Sequence, residues 1–320
     1  MLRILSTLIT VMLLALPASA QEEYWQYDWP NTDFSKKSVN FSEIMSGGPR
    51  RDGIPAINDP GMIAISEETR LGDREPVMTV ELAGQTPRAY PVRYLMYHEI
   101  TNDVIGQTPV AVTFCPLCNS GVTFDRRILG MTLTFGVSGK LRNSDMVMFD
   151  RETESWWQQF LGQGIVGEMT GVKLNKVPSW MESWAEFKTR NPEGLVMDQP
   201  DANRPYGTNP YTGYDTGAPF LYRGENPPHG IGPLERVVVV GNRAWPLSRF
   251  ASVGKITEAG VSISWVKGQA SALDSRDIAT SRDVGTIRVR DAAGKDVIHD
   301  VAFAFAFHAF HPSGEWMLGG

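Results

Sequence analysis

Two cysteines, Cys115 and Cys118, are the residues whose type and spacing most clearly permit chemistry in this sequence. They stand in the run Cys115-Pro-Leu-Cys118-Asn119, and the chain of 320 residues has no other cysteine. A thiolate is a soft metal ligand, a redox group and a nucleophile. The pair therefore allows three interpretations: a metal site, a structural or protective disulfide, and a catalytic dithiol or thiol nucleophile.

The segments around the cysteines bear on these interpretations. β-rich runs at residues 110–114 and 122–124 flank the pair, which predicts a turn between two strands. Thioredoxin-like catalysts place such a pair at a helix N-terminus, which stabilises the thiolate, and no helical pattern follows here. A c-type haem site needs histidine directly after the second cysteine, where this chain has Asn119. A turn between strands is typical of zinc ribbons, although a disulfide in an oxidising compartment stays open.

Two thiolates do not complete a tetrahedral site, so further ligands must come from His, Asp or Glu. His98 precedes the strand that leads to Cys115, and His311 closes an aromatic run at residues 303–311 that fits either a strand or a helix. We predict a Cys2His2-type zinc or copper site formed by Cys115, Cys118, His98 and His311. Four bound ligands would make a closed site, whereas three would leave a position open for catalysis.

The remaining pattern predicts a β-rich α+β fold. Runs at 78–82, 110–114, 122–124 and 131–135 have strand character, and residues 92–102 and 179–190 fit short helices. We expect the following organisation: signal peptide 1–20, N-terminal surface arm 21–60, first β-rich half 61–200, Gly/Pro/Tyr-rich loop 201–233 and second β-rich half 234–320. The tyrosines of the loop favour an ordered segment packed on the body.

The two halves share a pattern that predicts internal duplication. Arg88-Ala-Tyr-Pro, the strand at 110–114 and Phe124-Asp-Arg in the first half correspond in order to Arg243-Ala-Trp-Pro, the run at 261–265 and Leu273-Asp-Ser-Arg in the second. The second half has no counterpart of Cys115, Cys118 or His98. These three residues are therefore dispensable for the fold, which indicates a function.

The first twenty residues predict export. Arg3, a mostly apolar run at 5–16 and Pro17-Ala-Ser-Ala20 form a signal peptide that would be cleaved before Gln21, and the run is too short for a bilayer span. We expect a periplasmic or secreted protein with no stable membrane span after cleavage. The net charge of −6, or −7 once Arg3 is removed, comes with scattered basic residues and excludes nucleic acid as a partner.

Several motifs together resemble the family of domain of unknown function 3179, from about residue 60 to 312. They are Tyr90-Pro-Val-Arg, His98-Glu-Ile-Thr-Asn-Asp, Val112-Thr-Phe-Cys-Pro-Leu-Cys-Asn-Ser-Gly, Phe124-Asp-Arg, Thr134-Phe-Gly-Val-Ser-Gly, Asn143-Ser-Asp, Asp150-Arg-Glu-Thr and Ala309-Phe-His-Pro. The resemblance implies that His98, Cys115, Cys118 and His311 are motif positions, and it implies no particular reaction.

The sequence thus predicts an exported metal-binding protein, with metal handling as one role. The alternatives are a metalloenzyme acting on a small molecule or glycan, and a metal-free thiol-disulfide protein. The substrate and the metal are not encoded in any motif that we find. Motifs for serine hydrolases, zinc proteases and phosphate-binding loops are absent from the sequence.

Overall fold

The computed structural model describes residues 24–250 and 252–319. The predicted signal peptide and its cleavage site at Ala20 lie outside these residues. Strands hold 37% and helices 15% of the chain, which confirms the prediction of a β-rich protein with short helices. Within the described part, no helix is long and apolar enough to cross a membrane.

The strands of the described residues form five sheets of three to five strands, arranged as a propeller-like ring, and one small hairpin. In chain order the strands are β1 Ile44–Ser46, β2 Ile57–Asn58, β3 Met62–Ala64, β4 Pro76–Val80, β5 Arg88–Pro91, β6 Ile100–Ile105, β7 Thr108–Cys115, β8 Ser120–Asp125, β9 Arg127–Ile128, β10 Met131–Thr132, β11 Phe135–Arg142, β12 Asp145–Asp150, β13 Trp156–Gln158, β14 Gln163–Val166, β15 Ser179–Ser183, β16 Leu195–Met197, β17 Arg236–Val240, β18 Arg243–Pro246, β19 Lys255–Glu258, β20 Val261–Val266, β21 Thr286–Asp291, β22 Asp300–Phe303 and β23 Glu315–Trp316. The sheet orders are β1-β11-β12-β13-β14, β2-β6-β7-β8, β15-β4-β5-β16-β3, β22-β17-β18-β23 and β19-β20-β21, with β9 and β10 as the hairpin.

Three seven-residue α-helices connect strands: α1 Val92–His98, α2 Trp184–Arg190 and α3 Ala304–Phe310. The helix predicted at 92–102 is too long, because α1 ends at His98 and β6 begins two residues later. The β-branched residues of β6 pair with β7 along its whole length, and this pairing wins over local helix propensity.

The helix predicted at 179–190 begins too early. Its first five residues form β15, which pairs antiparallel with β4. Ser183 caps α2 by accepting a hydrogen bond from the Glu186 backbone N–H, so the helix starts only at Trp184. The C-terminal aromatic run, which fits either structure, is strand β22 up to Phe303 and helix α3 after it.

Two sheets of the ring have the same strand order and directions. The two sets of strands are β15-β4-β5-β16 and β22-β17-β18-β23. In each set the first strand pairs antiparallel with the second, the second antiparallel with the third, and the third parallel with the fourth. In each set a helix joins the first strand to the fourth, and a Pro-x-Gly turn follows the helix. The Gly194 N–H donates to the Asn191 carbonyl in one turn, and the Gly314 N–H donates to the His311 carbonyl in the other, both at 2.8 Å. One part of the expected correspondence is wrong: Phe124 lies in β8, whereas Leu273-Asp-Ser-Arg lies in turns before β21.

The described part of the N-terminal arm contributes to the interior. Trp25, Trp29, Phe34 and Phe41 are buried and form a cluster with residues of β12–β14 that include Trp156. The expectation of an arm lying on the surface therefore does not fit these residues. Their aromatic side chains carry large apolar area, which is stabilising only when removed from water.

Candidate functional site

The two cysteines lie in a tight turn between neighbouring antiparallel strands. Cys115 is the last residue of β7, residues Pro116–Cys118 form one turn of 3-10 helix, and β8 starts at Ser120, which pairs with Cys115. Asn119 closes the turn in the left-handed conformation (φ 49°), which asparagine tolerates better than most residues. The predicted turn between strands is confirmed, and both thiols are free and buried.

Asp145 is the third member of the cluster. One ligand atom of each of Cys115, Cys118 and Asp145 lies within 4.8 Å of the other two. Asp145 opens β12 directly after the hairpin residues Asn143 and Ser144, whose φ angles are 50° and 65°. Such a turn reverses the chain sharply and brings the carboxylate to the cysteine turn.

The Asp145 carboxylate is held on one oxygen only. Oδ2 accepts hydrogen bonds from the Gln158 amide at 2.5 Å and from the Phe160 backbone N–H at 3.0 Å. Oδ1 is buried and accepts none from any residue that the structure describes. A buried oxygen without a donor is costly, so this atom is available to a bound cation or a bound donor.

The cluster is buried, and the described residues bring no cationic side chain to its three groups. Burial raises the pKa of both thiols, and the acidic neighbours Asp145 and, for Cys115, Glu99 raise it further. Burial also raises the pKa of Asp145 to about 6, although hydrogen bonds from the Phe160 N–H, the Gln158 amide and the thiols of Cys118 and Cys115 oppose it. Without a cation the thiols are therefore protonated at neutral pH, and a bound metal ion would favour their deprotonation.

A second acid, Glu99, lies close to the cluster. It caps α1 with φ at 59°, a conformation that costs a residue with a β-carbon free energy, and its carbonyl accepts the Phe114 N–H. Burial, with a contribution from Asp145, raises the pKa of Glu99 to about 8. Its side chain has no hydrogen-bond or ion-pair partner within residues 24–250 and 252–319.

A cavity of about 310 Å³ lies beside the cysteine turn. Leu117, between the two cysteines, and Met146, next to Asp145, form part of its wall, and Glu99 lines it as well. The other lining residues are mostly apolar or aromatic: Gly47, Pro49, Ile54, Val137, Gly139, Lys140, Leu141, Tyr211, Tyr214 and Phe220.

The segment at 201–233 covers the cysteine turn on the cavity side. The Tyr214 hydroxyl donates to the Leu117 carbonyl at 2.9 Å and accepts the Phe220 N–H at 3.1 Å. The Ser144 hydroxyl donates to the Phe220 carbonyl. The loop is therefore tied to both turns that carry the cluster.

His98, a predicted ligand, is engaged elsewhere. Its Nδ1 lies 2.7 Å from the Pro55 carbonyl, which can only accept, so Nδ1 carries the proton and Nε2 accepts from the Tyr206 hydroxyl at 2.5 Å. Burial lowers the pKa of His98, so the neutral ring is favoured. The structure does not bring His98 into the Cys115, Cys118 and Asp145 group. It joins the loop, through Tyr206, to the body.

His311, the other predicted ligand, caps the end of α3. Its ring stacks on Phe307 with centroids 5.1 Å apart, and Nδ1 lies 3.2 Å from Asn242 Oδ1. Burial and the nearby Lys176 and Lys173 lower its pKa. The C-terminal histidine is likewise outside the group that the described residues assemble around the thiols.

Sequence reasoning missed Asp145 and Glu99. Both stand in motifs that carry the family resemblance, Asn143-Ser-Asp and His98-Glu-Ile. Imidazole is the commoner partner of thiolates in metal sites, so the residue types favoured the histidines instead. A usable signal was the Asn-Ser pair before Asp145, which predicts a tight hairpin with the aspartate at its base.

Comparison with known proteins establishes the family. A family model described as "Protein of unknown function (DUF3179)" matches residues 51–314, so the chain belongs to this family. No curated protein and no solved structure matches the chain significantly.

Proposed function

We propose that this is an exported metal-binding protein in which Cys115, Cys118 and Asp145 hold one ion. The observation that carries the proposal is the burial of the three groups together, with Asp145 Oδ1 lacking any donor among the described residues. Burying a carboxylate oxygen without a donor beside two thiols is unfavourable, and a cation bound by all three groups removes that penalty. Export rests on the apolar run and the Ala18-Ser-Ala20 site in the sequence.

The donor set favours zinc over copper. Two thiolates suit both Zn²⁺ and Cu(I), but a carboxylate is a hard ligand that Zn²⁺ accepts and Cu(I) binds poorly. Three protein ligands leave a fourth position, the arrangement of catalytic rather than structural zinc sites. A zinc enzyme acting on a small molecule is therefore the second candidate function, supported by the cavity beside Leu117 and Met146.

A catalytic dithiol has less support. Reactive thiols have lowered pKa values near cations or helix N-termini, whereas burial and acidic neighbours raise those of Cys115 and Cys118. A disulfide between the two remains the alternative to a metal, because their sulfurs lie within 4.8 Å of each other.

The test is zinc stoichiometry and affinity in the purified exported protein. We expect about one zinc per chain by elemental analysis, and competition with a chromogenic chelator should give the affinity. Cys115→Ser, Cys118→Ser and Asp145→Asn should each weaken binding by at least about tenfold, the range seen when groups that support a metal are lost. At pH 7 binding should also release about two protons, because both thiols must lose theirs.

The matched control is Asp150→Asn. Asp150 is a buried aspartate on the same strand as Asp145, and it accepts hydrogen bonds from Trp157 and Thr153 instead of facing the sulfurs. Zinc affinity should be unchanged in this variant. A metal-free protein whose intact mass is about 2 Da below that of the dithiol, the two hydrogens lost when a disulfide forms, would contradict the proposal and support the disulfide.

The same titration tests the two histidines predicted from the sequence. Wild-type affinity in His98→Ala and His311→Ala would support the two-thiolate, one-carboxylate set. A loss of tenfold or more in both would restore the Cys2His2 set instead. Intact mass of the exported chain checks the cleavage, since the mature protein should begin at Gln21.

We also propose that the two sheets with matching topology arose by internal duplication. The support is the shared strand order, the connecting helix, the Pro-x-Gly turn after it and the Arg-Ala-aromatic-Pro strand in each sheet. In this alignment His311 corresponds to Asn191, and the cysteine turn corresponds to the long β20–β21 connection. Superposition of residues 76–125 and 179–197 on residues 236–291 and 300–317 as single bodies is the check.

A further inference from the structure

The cavity beside the cysteine turn has walls of two kinds. Most of its lining is apolar, and includes Ile54, Val137, Leu141 and Met146. Among the described lining residues, Glu99 supplies the single acidic group. A pocket that is largely apolar with one well-placed polar group is the usual character of a small-molecule site.

Lys140 also borders the cavity, but its amino group lies over tryptophan rings outside the cavity lining. Its Nζ lies 5.1 Å from the Trp156 ring centroid and 5.2 Å from that of Trp25. These rings belong to the tryptophan cluster on the opposite face of β11, since Lys140 pairs with Val147 of that cluster while Leu141 pairs with the cavity residue Met146. The amino group therefore does not neutralise Glu99.

The position of Glu99 in the cavity wall is energetically unfavourable. The residue is 8% exposed, its side chain has no hydrogen-bond partner among the described residues, and its backbone has φ at 59°. A carboxyl with little solvent exposure and no donor from the described residues, and a positive φ at a residue with a β-carbon, each destabilise the fold. Strain of this kind, when observed, points to a functional position.

The size of the cavity limits the occupant. At about 310 Å³ it is at the lower end of the range of about 300–1,000 Å³ for ligand pockets. Tyr211, Tyr214 and Phe220 of the covering loop contribute aromatic surface to the same space. An aromatic or alicyclic molecule can pack on these rings, while an anion would lose its hydration without a counter-ion and would face the Glu99 carboxyl.

We propose that this cavity binds a small, uncharged, mainly aromatic or alicyclic molecule whose single hydroxyl group donates a hydrogen bond to the Glu99 carboxyl. The ligand would lie next to the Cys115, Cys118 and Asp145 group, so its role as a substrate rests on the proposed metal site. Its binding does not depend on the metal and is tested separately.

The test compares 2-naphthol with naphthalene by titration calorimetry on the full-length mature protein, with the zinc content of each sample measured in parallel. We expect one 2-naphthol per chain, bound about tenfold more tightly than naphthalene, because one hydrogen bond to a buried partner separates the two probes. Glu99→Leu should abolish that preference, and Glu99→Gln, which keeps an acceptor oxygen, should retain most of it. Leu141→Trp should weaken both probes at least tenfold by filling the space.

Glu193→Gln, on an exposed turn, is the matched control and should bind both probes as the wild type does. Absence of saturable binding, or an equal preference in wild type and Glu99→Leu, would overturn the proposal and leave a water-filled cavity. If Glu99→Leu does not fold, wild-type affinity of Leu141→Trp for both probes would likewise overturn the proposal. Zinc without probe binding refutes the ligand site alone, whereas probe binding in a protein that takes up no zinc refutes the metal site alone.

Discussion

Replacing Glu99 by glutamine should change how stability depends on pH. The pKa of Glu99 is raised from the ordinary value of 4.5 to about 8, chiefly by burial. A group whose folded-state pKa is raised supports the fold while it is protonated. Its contribution is complete below about pH 4.5, is lost progressively as pH rises, and reaches its minimum above about pH 8.

The magnitude follows from the pKa difference. A shift of about 3.5 pH units corresponds to about 5 kcal/mol when the carboxyl is fully ionised. Integrating the proton linkage gives losses of about 1 kcal/mol at pH 5, about 3 kcal/mol at pH 7 and nearly 5 kcal/mol at pH 9. Glu99→Gln carries no titrating group and escapes this loss, so its stability relative to the wild type should increase with pH.

The assay is urea denaturation at intervals from pH 5 to 9, after removal of metal with a chelator. Metal must be absent, because a nearby cation would stabilise the ionised carboxyl and flatten the curve. The amide introduced by Glu99→Gln adds an offset that does not depend on pH, so the slope rather than the absolute difference is the test. Glu193→Gln, on the exposed turn, should follow the wild type throughout.

A constant stability difference between Glu99→Gln and the wild type over this range would refute the reasoning. It would mean that the Glu99 carboxyl titrates as an ordinary surface acid. Glu99 would then not be buried in the cavity wall, and it could not serve as the hydrogen-bond partner of the proposed ligand.

Two further predictions concern the framework of the site. Gly139→Ala should destabilise the protein by at least about 2 kcal/mol more than Gly130→Ala in thermal unfolding, because both residues have positive φ but only at Gly139 would a Cβ lie 2.0 Å from a backbone carbonyl oxygen. Similar melting temperatures would contradict this. His98→Ala should cost about 2 kcal/mol through its two lost hydrogen bonds and increase amide exchange in residues 201–233, whereas His308→Ala should leave that exchange unchanged. Equal exchange in both variants would exclude His98 as the anchor of the loop.

Local features of the site were predictable from the sequence. β-rich runs before Cys115 and after Cys118 indicated strands, and Pro116 and Asn119 are residues that shape a tight turn. These signals operate within a few residues, so the turn between β7 and β8 needed no knowledge of the rest of the chain.

The limits of the helices were less predictable. Residues 100–102 and 179–183 fall in the predicted helices, but each run lies in a strand that gains ladder hydrogen bonds by pairing with a neighbouring strand. The stabilisation from strand pairing depends on a partner strand elsewhere in the sequence, so the local helix propensity of a segment does not account for it.

The sequence by itself determined that two thiols share one turn, because neighbouring residues fix that geometry. Only the tertiary structure decided what joins them. Asp145 reaches the sulfurs through the hairpin between β11 and β12. Glu99, at the end of α1, lines the cavity beside them, while His98 bonds Pro55 and Tyr206 instead. Residue type gives the capacity to bind a metal, but the partner of each side chain depends on strand register and packing over long separations, which a chain read in one dimension does not contain.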